Sequence, residues 1–348
     1  MPTSFDKSAR FLCAALRLPV VAIAACLLAL TATPASAWDL KKIENRDYVS
    51  LESVKRFYNF TKLNRSGNSL VLENPKVEMK LKIGGNECLM NGVKFVFTHK
   101  VEVIGDMAYV SRMDLAKLID PVLRPNFIKN AADFRTVILD PGHGGKDPGA
   151  TNSLGSEAFY NLKVAGRAKS LLEAKGFKVV MTRTSDRYLS LQERVDLANA
   201  IRENAIFVSI HFNSGGREAR GIETFTLSPP GVSHYGRGLI AADSQARAGN
   251  EHDSANIALA TSIHGSLLRR LQKNTFDRGI KRARFSVLSG VRHPAILLEG
   301  GFMSHPYEAR LIQNEAYQNA IANGIVDAVV KYRFAVSKRP TGAGSAPR

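Results

Sequence analysis

Four side chains in this sequence could bind a metal ion or move a proton. His143 lies in a glycine-rich turn after a short apolar segment, and His211 and Glu299 follow two further apolar segments. Each histidine taken singly is more often a turn or core residue, and Glu157 suits a helix N-terminus, where an acid is favourable. Glu299 is harder to explain, because a carboxylate ending a buried strand must be paired or metal-bound. The common position of His143, His211 and Glu299 after apolar segments is therefore more informative than any one residue.

Together these residues have the composition of a catalytic zinc site. Two histidines and one glutamate around an open fourth position form a catalytic zinc set. Zinc polarises a carbonyl, and amide hydrolysis also needs a carboxylate that moves a proton from water to the leaving nitrogen. His143, Glu157 and His211 can be the ligands of one Zn2+ ion, with Glu299 as the base. This set predicts an amide hydrolase that uses no activated serine or cysteine.

The elements that would position these residues alternate between strand and helix across residues 133–334. Such alternation predicts an α/β fold with a mostly parallel mixed sheet and helices on both faces. Functional groups gather at the carboxyl ends of strands in these sheets, which is where the candidate residues fall. We also expect Arg183 and Arg194 to stabilise the second strand–helix unit by hydrogen bonding.

The sequence divides into five segments by composition and pattern. A basic leader, a short apolar run and a small-residue cleavage site predict a signal peptide, with a retained membrane anchor as the alternative. Turn-separated strand patterns then predict a small α+β accessory domain, followed by a proline-containing linker. The predicted boundaries are a signal peptide at 1–37, an accessory domain at 38–120, a linker at 121–132, a catalytic domain at 133–334 and a disordered tail at 335–348.

Charge and cysteine content restrict the partners. The formal net charge is +17, which favours an anionic partner, and the carboxylates of peptidoglycan have the appropriate sign. No nucleic-acid-binding motif is present, and the predicted export to the periplasm or cell envelope also argues against DNA. Without the leader only Cys88 remains, so no internal disulfide is expected. No apolar run after the leader is long enough to predict a transmembrane helix.

Four motifs in order carry a family resemblance over about 200 residues. From about residue 136 to 332, the chain resembles the zinc-dependent N-acetylmuramoyl-L-alanine amidases of the amidase-3 type. The motifs are VILDPGHGGKDPGA at 137–150, EAFYNL at 157–162, FVSIHFNS at 207–214 and PAILLEGGFMSHPYEARLI at 294–312. The resemblance implies that His143, Glu157 and His211 bind zinc, and that Glu299 is the catalytic glutamate. It also implies cleavage between N-acetylmuramic acid and L-alanine in peptidoglycan, for wall remodelling or daughter-cell separation.

Three features depart from the family pattern. Ala158 stands where the family usually has lysine, Phe212 stands where it usually has alanine, and residues 229–253 are longer than the minimal pattern. Some members carry an insertion that blocks the zinc site until a partner removes it. We therefore interpret residues 229–253 as a lid that a protein activator moves, or as a substrate-contact loop.

The remaining sequence gives weaker expectations. Asn213 is predicted either to orient His211 or to contact substrate, and Arg284 belongs to a basic stretch that is either a solvated surface or a contact for stem-peptide carboxylates. Within residues 38–120, the segments YVSLESV at 48–54 and YVSRMDLAKLID at 109–120 resemble the N-terminal module of copper amine oxidases, a resemblance that is not specific for function.

Two alternative functions remain open at this stage. A zinc carboxypeptidase would share the ligand types, but its first two ligands are close together as H-x-x-E, whereas thirteen residues separate His143 from Glu157. A wall-binding module that has lost catalysis is disfavoured by the intact set of four residues.

Overall fold

The computed structural model describes residues 38–337, so the predicted signal peptide lies outside the described residues. The strands are β1 (Leu40–Ile43), β2 (Arg46–Ser50), β3 (Lys62–Ser66), β4 (Ser69–Glu73), β5 (Glu78–Lys82), β6 (Glu87–Met90), β7 (Val93–Val96), β8 (Glu102–Ile104), β9 (Met107–Ser111), β10 (Thr136–Pro141), β11 (Thr151–Asn152), β12 (Gly155–Ser156), β13 (Lys178–Met181), β14 (Ala205–Asn213), β15 (Ile222–Leu227), β16 (Asp277–Ala283) and β17 (Ala295–Phe302).

Nine α-helices lie between or after these strands in the described residues. They are α1 (Leu51–Phe57), α2 (Arg112–Asp114), α3 (Asp120–Leu123), α4 (Glu157–Ala174), α5 (Leu191–Asn199), α6 (Asp253–Leu271), α7 (Ser286–Gly290), α8 (Pro306–Gln313) and α9 (Glu315–Ser337). A π-helical stretch at Leu115–Ile119 joins α2 to α3, and single 3-10 turns follow α3 and flank α6. Among residues 38–337, no helix has the length and apolar character needed to cross a membrane.

A large mixed sheet forms the centre of the fold, as the sequence predicted. Its strand order is β13-β10-β14-β17-β15-β16-β7-β6-β5-β4-β3. Strands β13, β10, β14 and β17 are parallel to one another, whereas β15 runs antiparallel to β17. The prediction of an α/β fold with a mostly parallel mixed sheet is therefore confirmed for the C-terminal part of the sheet.

Alternate residues of the central strands pack against helices on the two faces. Val137 and Leu139 of β10 join a core cluster with residues of α4, α6 and α9. Ile138, between them, faces a second cluster built with residues of α5 and α7. Both faces are buried because each is covered by helices, which explains why these strands are continuous apolar runs.

The N-terminal region continues the same sheet. Strand β7 pairs in parallel with β16 through Ile280 and Phe95, and β7 to β3 then form an antiparallel meander. Strands β1, β2, β9 and β8 form a separate four-stranded sheet. The predicted division at residues 121–132 therefore separates regions that share backbone hydrogen bonds, and this division stays a prediction.

A buried carboxylate also connects the two regions. Asp114 is fully buried and accepts hydrogen bonds from the backbone N–H groups of Thr98 and His99 and from the Ser111 hydroxyl. The guanidinium of Arg282, on β16, lies 3.5 Å from the same carboxylate. This cluster therefore links the N-terminal region to a strand of the C-terminal sheet.

One predicted boundary requires correction. Helix α9 ends at Ser337, so it continues three residues into the segment predicted to be a disordered tail from 335. Val336 is buried and joins the main core cluster, which explains the continuation of the helix. The rest of the predicted tail, residues 338–348, lies outside the described residues.

Asp114→Ala should destabilise both regions together. Removing the carboxylate leaves several buried donors and the Arg282 guanidinium without a partner, a change that typically costs about 3–5 kcal/mol. Denaturant unfolding followed by fluorescence and circular dichroism should show one transition, shifted to lower denaturant. Asp106→Ala, in an exposed turn, is the control and should leave the midpoint unchanged. A two-step transition with an unshifted second step would contradict cooperative unfolding.

Candidate metal centre

The structure brings the three predicted ligands together at one edge of the sheet. Ligand atoms of His143, Glu157 and His211 all lie within 4.8 Å of one another. The Glu157 carboxylate lies between the two imidazoles, with Oε1 3.2 Å from Nε2 of His143 and 2.8 Å from Nδ1 of His211. Two imidazoles and one carboxylate are the donor types that a zinc ion takes.

The fold explains why these three residues converge. His211 lies in β14 and His143 follows β10, its parallel neighbour, so both strands deliver a histidine to the same edge. Glu157 is the first residue of α4, where the Ser156 hydroxyl accepts a hydrogen bond from the Phe159 N–H as the helix N-cap. The N-cap fixes where the helix begins, and so fixes the position of Glu157.

Two glycines leave the space that the ligands need. A Cβ atom at Gly142 would lie 2.0 Å from Cε1 of His211, and one at Gly149 would lie 2.5 Å from Oε2 of Glu157. Gly149 also has a φ of +65°, a conformation that favours glycine. The glycines of the first motif therefore allow close approach of the backbone to two of the three ligands.

Asp147 is a residue that the sequence interpretation missed. Its Oδ2 atom lies 2.8 Å from Nδ1 of His143, and its Oδ1 atom accepts a hydrogen bond from the N–H of Gly149. A carboxylate on one imidazole nitrogen fixes the tautomer and directs the other nitrogen to a metal. The spacing HGGKD within the first motif was the available indication, because a short turn can return an aspartate to the histidine.

Buried arginines fix the turn that carries His143. Arg194 donates to Asp140 at 2.7 Å and to the His143 carbonyl at 2.7 Å. Arg183, almost fully buried, donates to the carbonyls of Pro141, Gly142 and Ala158. Both arginines therefore form hydrogen bonds, as the sequence predicted, but the partners cited lie in the turn of His143 and at the start of α4 rather than within the second strand–helix unit.

Glu299 lies beside the three candidate ligands. It pairs in register with His211 of β14 on one side and with Glu223 of β15 on the other. Its Oε2 atom is buried and has no hydrogen-bond partner among the described residues. Burial raises the pKa of this carboxyl well above its usual value, and the nearby carboxylates of Glu157 and Glu223 raise it further. An unpartnered buried carboxylate oxygen beside a metal-donor set fits a group that acts on bound water.

Burial and hydrogen bonding have opposite effects on the pKa of Glu157. Burial would raise the pKa of Glu157, but the hydrogen bonds and charges of His143 and His211 outweigh it. The pKa is therefore held well below its usual range. This carboxylate is charged at neutral pH, as a metal ligand must be.

Asn213 does not hydrogen-bond to the His211 ring in the described structure. Its Nδ2 atom lies 3.3 Å from Oε2 of Glu223, and its Oδ1 atom accepts a hydrogen bond from the Ser214 N–H. It therefore stabilises the carboxylate next to Glu299 rather than the His211 ring. A contact with substrate stays a prediction.

Arg284 lies away from the candidate metal centre. Strand β16 is parallel to β15, and β15 is antiparallel to β17, so Arg284 after β16 lies at the edge opposite to Glu299. Its guanidinium there donates to the carbonyls of Pro229 and Val232 and pairs with Asp243. Its side chain is 10% exposed and so is not part of a solvated surface, and a contact with stem-peptide carboxylates stays a prediction.

The lid interpretation of residues 229–253 is corrected for the same reason. Glu223, at the start of β15, is level with Glu299, whereas Leu227, at its end, is four residues further along. A strand rises about 3.3 Å per residue, so the loop begins about 13 Å from the level of Glu299. It is held on that far edge by hydrogen bonds from Asn250 to Ser228 and from the Tyr235 N–H to Arg282. The loop does not cover the candidate metal centre.

Fold and centre together define a class of protein. An α/β sheet with a His–Glu–His donor set at one edge, beside a glutamate of β17 whose Oε2 atom is buried, has the composition of a metal-dependent hydrolase. Residues 137–331 match the family model Amidase_3, described as N-acetylmuramoyl-L-alanine amidase, and the chain belongs to this family.

Relatives share the C-terminal part of the chain. The YqiI protein of Bacillus subtilis is 33% identical over 57% of this chain and 84% of its own length. The N-acetylmuramoyl-L-alanine amidases LytC of Bacillus subtilis and AmiC of Neisseria meningitidis are 32% and 31% identical, over 60% and 56% of this chain. The chain spans 37% of LytC and 52% of AmiC.

The C-terminal part is also similar to a solved amidase. The catalytic domain of CwlV, an N-acetylmuramoyl-L-alanine amidase of Paenibacillus polymyxa, is 32% identical, with a TM-score of 0.48. The match covers 57% of this chain and 98% of that one.

Asp147→Asn should weaken zinc binding without unfolding the protein. Loss of a carboxylate that orients a ligand histidine typically lowers metal affinity about 10- to 100-fold. Competition with a fluorescent zinc chelator measures the affinity of the metal-free protein directly. Asp196→Asn, on the exposed side of α5, is the matched control and should bind zinc like the parent. Unchanged affinity in Asp147→Asn would show that Asp147 does not orient His143.

Proposed function

We propose that this protein is a zinc-dependent N-acetylmuramoyl-L-alanine amidase that cleaves peptidoglycan. The bond would be the amide between the lactyl group of N-acetylmuramic acid and L-alanine. The observation that carries the proposal is the unpartnered Oε2 atom of Glu299, which lies beside three residues with the donor types of zinc. Membership of the amidase-3 family supports the substrate assignment.

In this proposal each residue has one role. His143, Glu157 and His211 would hold the zinc ion, and Asp147 would keep the His143 ring in its binding orientation. When bound, zinc would supply the Lewis acidity that polarises the amide carbonyl and acidifies the attacking water. Glu299 would take a proton from this water as the oxygen–carbon bond forms, and would pass it to the nitrogen as the carbon–nitrogen bond breaks.

The surroundings of Glu223 favour this role for Glu299. Lys281 is buried, and its Nζ atom lies 2.8 Å from Oε1 of Glu223. Arg278 pairs with the same oxygen. These two cations offset the Glu223 charge, so the neighbouring carboxylate opposes ionisation of Glu299 less strongly. Glu299 can then alternate between its charged and protonated forms, as a proton carrier must.

Peptidoglycan also fits the charge of the protein and its predicted export. The formal charge of +17 favours a polymer that carries free carboxylates, and the predicted leader indicates the periplasm or cell envelope. Wall remodelling and separation of daughter cells are the roles that this activity would serve. Any protein activator that contacts residues 229–253 would bind away from the candidate metal centre.

Glu299→Gln should retain zinc but lose most activity. The substitution keeps the shape of the side chain and removes the proton carrier, so turnover should fall about 100- to 10,000-fold. Zinc content and hydrolysis of purified peptidoglycan are measured on the same preparation. His211→Ala is the comparison, because loss of a ligand should reduce both zinc content and activity. A zinc-free Glu299→Gln protein would show that Glu299 is a ligand rather than the base.

Chelation tests whether hydrolysis requires zinc, and product analysis tests which bond is cleaved. Removal of zinc with a chelator should abolish hydrolysis, and added Zn2+ should restore it. Mass spectrometry should then detect free peptides that begin with L-alanine. Trimmed peptides still attached to muramic acid would support a carboxypeptidase instead, and the absence of any released product would support a binding module.

A further inference from the structure

A cavity of about 680 Å³ lies where the N-terminal region meets the loop of residues 229–253. We call it the junction cavity; its walls include Arg46, His99, Arg112 and Lys117 from the N-terminal region and Leu239 from the loop. We propose that the junction cavity is a docking site for an acidic segment of a partner protein that carries a large apolar side chain. This assignment goes beyond the amidase activity and does not depend on it.

Cations outnumber acids in the lining of the cavity. Arg46, Arg112 and Lys117 line it, whereas Asp47 is the one lining residue with a carboxylate. Each cation pairs with an acid: Arg46 with Glu44 at 3.1 Å, Arg112 with Asp47 at 3.3 Å, and Lys117 with Asp253 at 3.3 Å. The pairs of Arg46 and Arg112 are exposed and contribute little stability, so a carboxylate of a ligand can replace these partners.

A buried cation lies immediately behind this wall. Arg282 donates to the hydroxyl of Thr98, which lines the cavity, and its Nε and Nη2 atoms have no hydrogen-bond partner among the described residues. Asp114 is the nearest carboxylate, at 3.5 Å. The positive potential of the cavity therefore has a contribution from a guanidinium that is only partly compensated.

The loop supplies an exposed apolar side chain to the wall of the cavity. Leu239 lines the cavity and is 60% exposed, and its chain neighbour Ile240 is 52% exposed. Adjacent exposed apolar side chains of this size typically mark an interaction site. The cations and the apolar patch together fit a segment with both acidic and large apolar side chains. Peptidoglycan stem peptides are acidic but lack a large apolar side chain, so they fit less well.

The loop is held firmly although it exposes apolar residues. Asp243 accepts two hydrogen bonds from Arg237, at 2.7 and 2.8 Å, and pairs with Arg284 at 2.9 Å. The Lys281 ammonium lies 4.4 Å from the centre of the Tyr235 ring. A long loop with a fixed conformation and an exposed apolar face is typical of a functional segment. Because little ordering is needed on binding, more of the contact energy contributes to affinity.

The position of the cavity defines what docking can do. Thr98 follows β7, which is parallel to β16, so the cavity lies at the sheet edge opposite to Glu299. A ligand there does not touch the candidate metal centre. Docking would therefore localise the protein without changing hydrolysis of soluble substrate.

Selection from a random-peptide library on the purified protein tests the proposal. Enriched peptides should combine Asp or Glu with a large apolar residue. Fluorescence anisotropy then measures their affinity for the parent, for the Arg46→Ala/Arg112→Ala double variant and for Leu239→Asp. Both variants should bind at least about tenfold more weakly, the loss expected when a central interface contact is removed. Arg65→Ala, on the distant strand β3, is the matched control and should bind like the parent.

Each outcome supports or overturns the proposal that the junction cavity is a docking site. Affinity should fall as salt rises, because the contacts are ionic. Peptides without acidic residues, equal binding by the double variant, or no enrichment would overturn the proposal. Loss of binding to purified peptidoglycan in the double variant, without peptide selection, would assign the cavity to the wall polymer instead. Hydrolysis of soluble wall fragments should be unchanged in every variant, so a failed amidase assay bears only on the proposed enzymatic function.

Discussion

The parallel pairing of β10, β14 and β17 is the constraint on which the candidate metal centre depends. In these strands Leu139 is level with Val208, and His211 is level with Glu299, so the side chains that follow the apolar runs reach one edge. A one-residue shift of register would turn every side chain of a strand to the other face. The burial of alternate residues against helices on both faces prevents such a shift. The packing of the core therefore sets the geometry of the site.

Buried polar groups next to the candidate metal centre fix the position of the loops relative to the strands. Asp140 is fully buried, and it accepts hydrogen bonds from Thr182, Arg194 and Ser209, which belong to three different segments. A buried charge with all its partners in place costs little, but one with a missing partner is strongly destabilising. The network therefore has one favourable arrangement, and that arrangement holds the turn of His143 against β14 and α4. The positions of the candidate metal ligands thus depend on hydrogen bonds that do not involve the donor atoms of those ligands.

The sequence was sufficient for the fold class and for the convergence of His143, Glu157, His211 and Glu299, because apolar runs and motif spacing report strand ends directly. It was insufficient for strand direction. An apolar run such as that of β15 has no feature that distinguishes parallel from antiparallel pairing, so the loop after β15 was interpreted as a lid over a site that lies at the other edge. Pairing of β7 with β16 joins residues 185 positions apart, as the Ile280 and Phe95 register shows, and no local pattern reports such a contact. The direction of β15 and the pairing of β7 with β16 both depend on the tertiary fold rather than on local sequence.

The antiparallel strand β15 has a functional consequence as well as a structural one. Because its direction is reversed, the chain leaves the metal edge at Glu223 and continues at the opposite edge after Leu227. The long loop and the N-terminal region therefore meet on the side away from the candidate metal centre. Groups separated by more than about 7–10 Å and without shared partners contribute independently to energetics. Variation in the loop or the N-terminal region can thus alter which partner is bound while the donor set and Glu299 stay unchanged. One reversed strand separates the proposed docking site from the candidate metal centre within a single continuous sheet.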